Sequence, residues 1–277
     1  MRRRGPAFVI RRILYYLLLT VGAAVFLFPF LLLLSTALKS PGQSVFGFPP
    51  DLIPKPPSLH FIQLAWNTIP FPRYLTISAM LVVVTIPLYL LVTLLAAYPL
   101  ARMRFRFKQL FFYLILSTMF LPGEVLLVPR FLVVSRLHLA DTFAALILPG
   151  LIGAFGTILL RRAFEGIPME LEDAARLDGA NEWQIFAKVM LPQVRAALAT
   201  LSIFSFVSVW NSFLWPLVVL KDPDKYPVAL GLAYLSRIGG TDIRTVAAGT
   251  VITVIPIVIF FISTQKYFVE GMKGAIK

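Results

Sequence analysis

The segment from Pro168 to Pro192, PMELEDAARLDGANEWQIFAKVMLP, is a polar island between two long apolar runs, and it governs how the rest of the chain is interpreted. Pro168 suits the first position of a helix, where its missing N–H costs nothing. Glu170 and Glu172 follow in the first turn, where the helix dipole favours negative charge. Gly179 supplies a C-terminal stop signal. We therefore predict a short helix that begins at Pro168 and ends at Gly179.

A second short helix is predicted directly after this one. Asn181, followed three residues later by Gln184, matches a capping box, in which each residue bonds the backbone of the other. This helix is expected to end near Leu191-Pro192. The product is a pair of short helices hinged at Gly179, where we expect a positive φ.

The first predicted helix has a face of small side chains. Leu171, Ala174, Ala175 and Asp178 fall at i, i+3, i+4 and i+7. A helix this short is marginally stable without tertiary partners, so we interpret it as a docking element for another protein. The alternative is an amphipathic helix on the lipid surface. Such helices are rich in Lys and Arg with bulky apolar anchors, whereas this one is acidic and lined with alanine.

The segment resembles the EAA loop of ABC importer permease subunits, whose pattern is E-A-A-x3-G-x9-I-x-L-P. The matching residues are Asp173-Ala174-Ala175, Gly179 and Val189-Met190-Leu191-Pro192, and the Asp and Val replacements keep the chemistry. In that family the loop sits in a cleft of the ATP-binding subunit. The resemblance implies a docking set of Leu171, Glu172, Asp173, Ala174, Ala175, Asp178, Gly179, Ala180, Leu191 and Pro192.

Composition places the chain in a membrane. Hydrophobic residues make up 58% and charged residues 14%, with a mean hydropathy of +0.83, which is too apolar for a water-soluble domain of this length. The formal charge of +13 flanks apolar runs and forms no single patch, which argues against nucleic-acid binding. Without cysteine, and with only His60 and His138 far apart, neither a metal site nor a catalytic residue is indicated.

Six apolar runs are long enough to cross a bilayer. They are residues 13–38, 74–100, 110–134, 142–160, 196–220 and 246–263, with a cytoplasmic loop at 161–195 and one domain over 1–277. A cleaved signal peptide is the alternative for the first run. Its apolar region would be shorter, and this one contains Pro29, so an uncleaved helix is expected.

Basic residues set the orientation. With the amino terminus inside, 17 of the 26 Lys and Arg residues lie on the cytoplasmic side, as the positive-inside rule requires. Arg102, Arg104, Arg106 and Lys108 contribute to this excess, and their surroundings also resemble the family's "AYALAR.RF" boundary. Six of the 13 acidic residues lie in the loop, which indicates a local purpose for acid there.

Three further residues are candidates for the pathway or for contact with another permease. Glu124 is acidic within an apolar run, so it is either a proton relay or substrate contact, or a residue placed near the external interface by Pro122-Gly123. Trp210 and Asn211 resemble the family's "WN.F.WPL" signature. Asn211 requires a partner for its amide, either in a pathway lining or in one helix–helix hydrogen bond.

The sequence has no G-x-x-x-x-G-K-[ST] motif for binding ATP phosphates. The resemblance implies an all-α integral membrane protein with six transmembrane helices, a type I ABC importer permease fold and both termini cytoplasmic, in a prokaryotic cell membrane. It implies a non-catalytic subunit for a sugar, oligosaccharide or glycerol phosphate. Its partners would be a second homologous permease, two subunits that bind ATP and Mg, and an extracytoplasmic binding protein. A self-sufficient ion-coupled transporter is the alternative, but only Glu124 supports it.

Overall fold

The computed structural model of the chain describes residues 6–45, 47, 51–238 and 242–275, and the regular structure of these ranges is helical. The predictions for Arg2, Arg3, Arg4 and the last two residues lie outside them. The helices are α1 Pro6–Ala37, α2 His60–Thr68, α3 Phe71–Arg102, α4 Lys108–Ser117, α5 Leu127–Arg136, α6 Phe143–Ile147, α7 Ala154–Glu165, α8 Met169–Leu177, α9 Glu182–Gln193, α10 Arg195–Trp210, α11 Leu214–Val219, α12 Val228–Ile238 and α13 Ile243–Ala275. The all-α class is confirmed.

Within the described ranges, three helices are long and apolar enough to cross a membrane. They are Arg11–Ala37, Phe71–Arg102 and Ile243–Gln265. Two bent pairs raise the number to five if each counts as one span. These pairs are α6 with α7, bent by 43°, and α9 with α10, bent by 74°.

The predicted span at 110–134 contains Pro122-Gly123-Glu124, a sequence expected to break a helix, and the structure divides the span there. Helix α4 continues as one 3-10 turn, Thr118–Phe120, and α5 begins only at Leu127. Pro122 cannot donate the backbone N–H that a continuing helix needs, and Gly123 adds conformational freedom, so the helix stops there. The predicted spans at 142–160 and 196–220 are likewise divided, into α6 with α7 and into α10 with α11.

The chain groups into two compact units, a smaller one of Met1–Pro70 with Leu232–Ile255 and a larger one of Phe71–Gly231 with Pro256–Lys277. In the smaller unit, Arg244 pairs with Asp242 and donates to the backbone carbonyls of Ser40 and Pro41. Its guanidinium also lies 4.4 Å from the ring centroid of Phe61. These bonds tie the start of α13 to the segment after α1.

One end of the larger unit gathers the last turn of α3, the start of α4 and the end of α7. The Lys108 ammonium donates to the Ala101 carbonyl at 3.1 Å. The Arg161 guanidinium lies 3.7 Å from the ring centroid of Phe112. The loop 161–195 therefore begins at this end, which we call the loop end.

The opposite end of the larger unit gathers the first turn of α3, the turn after α5 and the turn after α11. Arg73 pairs with Asp224 at 3.3 Å, and Lys225 pairs with Asp141 at 2.9 Å. Since α4 begins at the loop end and Asp141 lies at the opposite end, α4 and α5 together traverse the unit, although neither does so alone.

A buried aromatic cluster lies where α3, α7 and α9 meet. The Tyr98 ring is 5.5 Å from Phe164 and 4.9 Å from Phe186, centroid to centroid. Leu160, Ile185 and other buried apolar side chains complete the cluster. This packing fixes the ends of the three helices from which the loop emerges.

Candidate functional site

The loop contains the helix that the sequence predicts at 168–179. Pro168 precedes the first residue of α8 with an extended ψ of 139°, and Gly179 follows the helix with a φ of +81°. The Gly179 N–H donates to Arg176 and the Ala180 N–H to Ala175, both at 3.0 Å. These two bonds form a Schellman motif, which satisfies the last carbonyls of the helix.

The second predicted helix is α9, and its capping box is present. The Gln184 N–H donates to the Asn181 side chain, and the Asn181 N–H donates to the Gln184 side chain, both at 2.9 Å. The sequence did not indicate the π-helical turn at Ile185–Met190, which carries the chain through the aromatic cluster. A π-turn of this kind often marks a functional site.

An ion pair between Glu172 and Arg102 anchors α8 to the membrane helix α3. Arg102 Nε lies 3.0 Å from Glu172 Oε1, and the two side chains are only 6% and 1% exposed. Arg102 also donates to the Ile167 carbonyl and, at 2.8 Å, to Met169 Sδ. A single guanidinium thus holds the residues before α8, its first residue and its first turn.

Arg176 ties α8 to α9 across the Gly179 turn. Its guanidinium lies 3.4 Å from Glu172 and from Asp173, and 3.1 Å from Glu182. The hydrogen bond that Arg176 donates to the Glu182 carboxylate raises the pKa of Arg176. Arg102, Glu172, Arg176 and Glu182 therefore make α8, α9 and the end of α3 one connected element.

The face predicted from the spacing of small residues is divided in the structure. Ala175 packs against the buried cluster, as do Ala180 and Leu191, whereas Ala174 is exposed. The outward stripe of α8 instead consists of Glu170, Asp173, Ala174 and Leu177, at i, i+3, i+4 and i+7. Leu177 is 89% exposed, which leaves an apolar side chain at the surface beside two carboxylates.

The other predicted docking residues lie around this stripe. Leu171, Asp178 and Gly179 are exposed, and Pro192 is half-buried. Glu172 points inward, so its carboxylate serves Arg102 and Arg176 and is not presented at the surface.

The candidate pathway residues do not share one site. Glu124 is exposed in the turn before α5, and its carbonyl accepts from the Leu127 N–H at 3.2 Å. Trp210 is buried and stacks on Phe206 at 5.6 Å. Asn211 is exposed and donates its side-chain amide to the Val207 carbonyl one turn back, at 3.0 Å. The amide is thus satisfied within its own helix.

A cavity of about 380 Å³ lies in the larger unit, among α3, α5, α6, α7, α10 and α11, and its lining does not include these three residues. Its polar lining includes Thr85, Tyr89, Ser205, Ser208 and Ser212. Among the described residues, no group of three or more His, Cys, Asp or Glu could hold a metal ion.

Two residues of the site have roles that the sequence did not indicate. Arg102 was interpreted as a charge that sets orientation or marks a family boundary, but it is the buried anchor of the loop. Leu177 was not assigned to the docking face, although it lies seven residues after Glu170 and could have been found by that spacing. The partner of Arg102 lies 70 residues away and has no local signal.

Comparison with known proteins gives a consistent match. Residues 90–274 match the family described as binding-protein-dependent transport system inner membrane component. The chain is 39% identical to the arabinooligosaccharides transport system permease protein AraQ of Halalkalibacterium halodurans, over 72% of each chain. It is 33% identical to the sn-glycerol-3-phosphate transport system permease protein UgpE of Shigella flexneri, over 94% of this chain and 95% of the relative.

A solved structure shares the whole architecture. A chain of a bacterial ABC transporter involved in the import of the acidic polysaccharide alginate superposes with a TM-score of 0.83 at 27% identity. The match covers 97% of this chain and 100% of the other.

Proposed function

We infer the function of this chain from its family, since it belongs to the binding-protein-dependent transport system inner membrane components. It is a multi-pass permease subunit of an ABC importer for a sugar, oligosaccharide or glycerol phosphate. We propose that it acts with a second, homologous permease, two ATP-binding subunits that hold ATP and Mg, and an extracytoplasmic binding protein. ATP hydrolysis belongs to the partners, and this chain converts their movement into transport.

The observation that carries the mechanism is the anchored helix α8. Its outward stripe offers carboxylates and small or apolar side chains to a partner, while its inward side is held to α3 by the ion pair of Glu172 and Arg102. A buried ion pair resists separation, because breaking it leaves an uncompensated charge. Displacement of α8 by the ATP-binding subunits is therefore passed to α3 as a rigid-body movement.

We propose six membrane crossings with both termini and the loop in the cytoplasm. The long helices α1, α3 and α13 supply three crossings, and α6 with α7 supplies a fourth. Helix α10 supplies the fifth together with α11, since its other neighbour α9 belongs to the loop, and α4 with α5 supplies the sixth. Basic residues cluster at the loop end, including Arg104, Arg106, Arg162 and Lys188, as expected for the cytoplasmic side.

The stretch from Met119 to Val133 is proposed as a contact with the second permease. Phe120 is 80% exposed and Val125 63%, and the backbone between α4 and α5 is not helical. Irregular backbone at membrane depth needs protein or water around it. Glu124, at the centre of this stretch, would then face the partner permease.

Cysteine cross-linking tests the docking proposal in a chain that has no cysteine of its own. Ala174→Cys, on the outward stripe, is expected to capture an ATP-binding subunit in the assembled importer. Ala175→Cys, one residue on and packed inward, is the matched control and should capture none or far less. Equal yields from both positions, or no yield from Ala174→Cys in an intact complex, would contradict docking through this face.

A further inference from the structure

The cavity of about 380 Å³ has the size and depth of a solute site. Thr85, on its wall, lies near the middle of the 32-residue helix α3, more than about 20 Å from either end at 1.5 Å per residue. Ligand sites for small molecules begin at about 300 Å³. The cavity is thus placed where a translocated solute would be held midway.

The lining combines two kinds of group that suit a polyhydroxyl compound. The hydroxyl groups belong to residues of α3, of α10 and of the turn that follows α10. The aromatic rings are those of Phe155, Phe204 and Trp215. Hydroxyls donate to and accept from sugar hydroxyls, and aromatic faces pack against apolar ring surfaces. This part of the lining does not distinguish neutral from charged sugars.

Arg130 adds a positive charge to this lining. It is the cavity's one charged residue among those the structure describes, and its guanidinium lies 5.3 Å from the ring centroid of Trp215. The Trp215 indole N–H donates to the Ala145 carbonyl at 2.9 Å, so the ring beneath the guanidinium is held in place.

No carboxylate forms an ion pair with Arg130 in the described part of the chain. Two other arginines described above differ from Arg130 in having a carboxylate partner, since Arg102 pairs with Glu172 and Arg244 pairs with Asp242. A guanidinium facing a cavity within a membrane protein is unfavourable without a counter-charge, and such residues mark solute paths. Its planar donors match a carboxylate or a phosphate in two-pronged geometry.

We propose that this cavity is a translocation subsite for an anionic polyol, with Arg130 binding the carboxylate or phosphate and the serine and threonine hydroxyls binding the sugar hydroxyls. The proposal rests on the proposed function and narrows its substrate class. Arg130, whose guanidinium packs on the Trp215 ring, is the residue that selects negatively charged solutes.

Uptake by the assembled importer with its own binding protein, in proteoliposomes, tests this assignment. The probes are a uronic acid trisaccharide, sn-glycerol 3-phosphate and a neutral arabinose trisaccharide. We expect ATP-dependent uptake of one of the two anionic probes, and which one it is distinguishes carboxylate from phosphate. Arg130→Gln should lower that uptake about tenfold or more, the effect of losing a hydrogen-bonded charge. Arg130→Lys should retain part of it.

Arg136→Gln is the matched control, since Arg136 lies on the same helix but is exposed and outside the cavity. It should leave uptake unchanged. Uptake of the neutral probe alone, or anionic uptake that is equal in Arg130→Gln and wild type, would overturn the inference and leave the importer function standing. Absence of ATP-dependent uptake of all three probes would overturn both.

A second measurement keeps the assignment testable if Arg130→Gln assembles poorly in the importer. Ser208→Cys places a thiol in the cavity of this cysteine-free chain. The measured quantity is the ratio of its reaction rate with an anionic methanethiosulfonate to its rate with a cationic one. This ratio should be about tenfold higher when Arg130 is present than in the Arg130→Gln background, because a charged cleft concentrates counter-ions. Equal rate ratios in the two backgrounds would exclude the role of Arg130.

Discussion

The ion pair of Arg102 and Glu172 has two roles, since it stabilises the fold and links α8 to α3 during transport. Both are almost fully buried. Removing Glu172 leaves the buried Arg102 without a counter-charge, and removing Arg102 leaves the buried Glu172 with only the partly exposed Arg176. Breaking a buried pair costs about 3–5 kcal/mol, whereas replacing both partners by apolar residues is often close to neutral. Stability and coupling can therefore be separated at this site.

We expect Glu172→Gln and Arg102→Gln each to lower the melting temperature of the complex, and the double variant Arg102→Met with Glu172→Leu to regain much of it. The double variant should still lose coupling, with ATP hydrolysis continuing while uptake falls, because the bonded link between α8 and α3 is gone. Thermal melts with paired ATPase and uptake assays measure this. Arg104→Gln, exposed two residues on, is the control. Full coupling in the double variant would refute the mechanical role.

Gly179 occupies a backbone conformation that L side chains rarely adopt. Its φ is +81°, and a Cβ added there would meet no heavy atom within 4 Å. Replacing Gly179 should therefore lower the stability of this chain only through the backbone strain of the positive φ, by about 1 kcal/mol for Ala. The loss should not grow with the size of the side chain.

We predict that Gly179→Ala reduces coupling of ATP hydrolysis to uptake and that Gly179→Asn reduces it less, because Asn tolerates positive φ. Gly179→Leu should match Gly179→Ala in thermal stability of the chain. If Leu is much worse than Ala in the assembled importer, the extra loss reports a partner surface within reach of this turn. Wild-type coupling in all three variants would show that the turn is not a hinge.

At the scale of elements, one carboxylate joins two turns at the end opposite the loop. Asp141 accepts from the Lys225 ammonium at 2.9 Å and from the backbone N–H groups of Lys221 and Asp222 at 3.0 and 3.1 Å. The Lys225 hydrogen bond is the main cause that lowers the pKa of Asp141 from 3.8 to about 2, followed by those two N–H groups. The turn after α5 is thereby fixed to the turn after α11.

The lowered pKa predicts how stability changes with pH. The Asp141 carboxyl binds a proton more readily in the unfolded state than in the folded state. Its contribution to the free energy of unfolding is therefore fully present above pH 3.8 and is lost as pH falls towards 2. Asp141→Asn, which tolerates the positive φ of 60° at this position, should lower the melting temperature near neutral pH. The difference from wild type should shrink towards zero near pH 2. A difference that stays constant from pH 7 to pH 2 would contradict this.

The sequence predicted the elements whose signals are local and missed those set by distant residues. Pro168, Gly179 and the Asn181 cap define α8 and α9 through signals within a few residues, so the predicted limits of α8 agree with the structure to within two residues, although Pro168 lies just before the helix and not at its first position. The break between α4 and α5 also has a local signal, Pro122-Gly123, which indicates a helix break at that point. The inward direction of Glu172, in contrast, depends on Arg102, 70 residues away, and is not encoded in hydrophobic periodicity.

Most of the cavity lining could not be predicted from the sequence. Ser205, Ser208 and Ser212 lie on and beside α10, an apolar helix whose buried and lipid-facing sides are not distinguished by composition. Arg130 enters the sequence analysis only as one of the nine Lys and Arg residues that are not on the cytoplasmic side. Its position beside Trp215 arises because α5 and α11 are brought together by packing, and this contact joins residues 85 positions apart.

At the scale of the whole molecule, the number of crossings depends on α4 and α5. The helical part of this stretch before Leu121 is about 21 Å long, from ten α-helical and three 3-10 residues, which is shorter than the hydrocarbon core of about 30 Å. The contacts at the two ends of the larger unit nevertheless place Lys108 and Asp141 at opposite ends. We therefore expect the segment to cross as a helix followed by irregular chain.

Labelling of single cysteines with a membrane-impermeant maleimide tests this crossing. Arg104→Cys and Arg136→Cys flank the segment and are both exposed. We predict that Arg136→Cys is labelled from outside the cell membrane, and Arg104→Cys only after permeabilisation. Lys221→Cys and Lys188→Cys, at the end opposite the loop and in the loop, serve as references for the two sides. If Arg104→Cys and Arg136→Cys label from the same side, α4 and α5 form a re-entrant hairpin, and every later element would be reassigned to the other face.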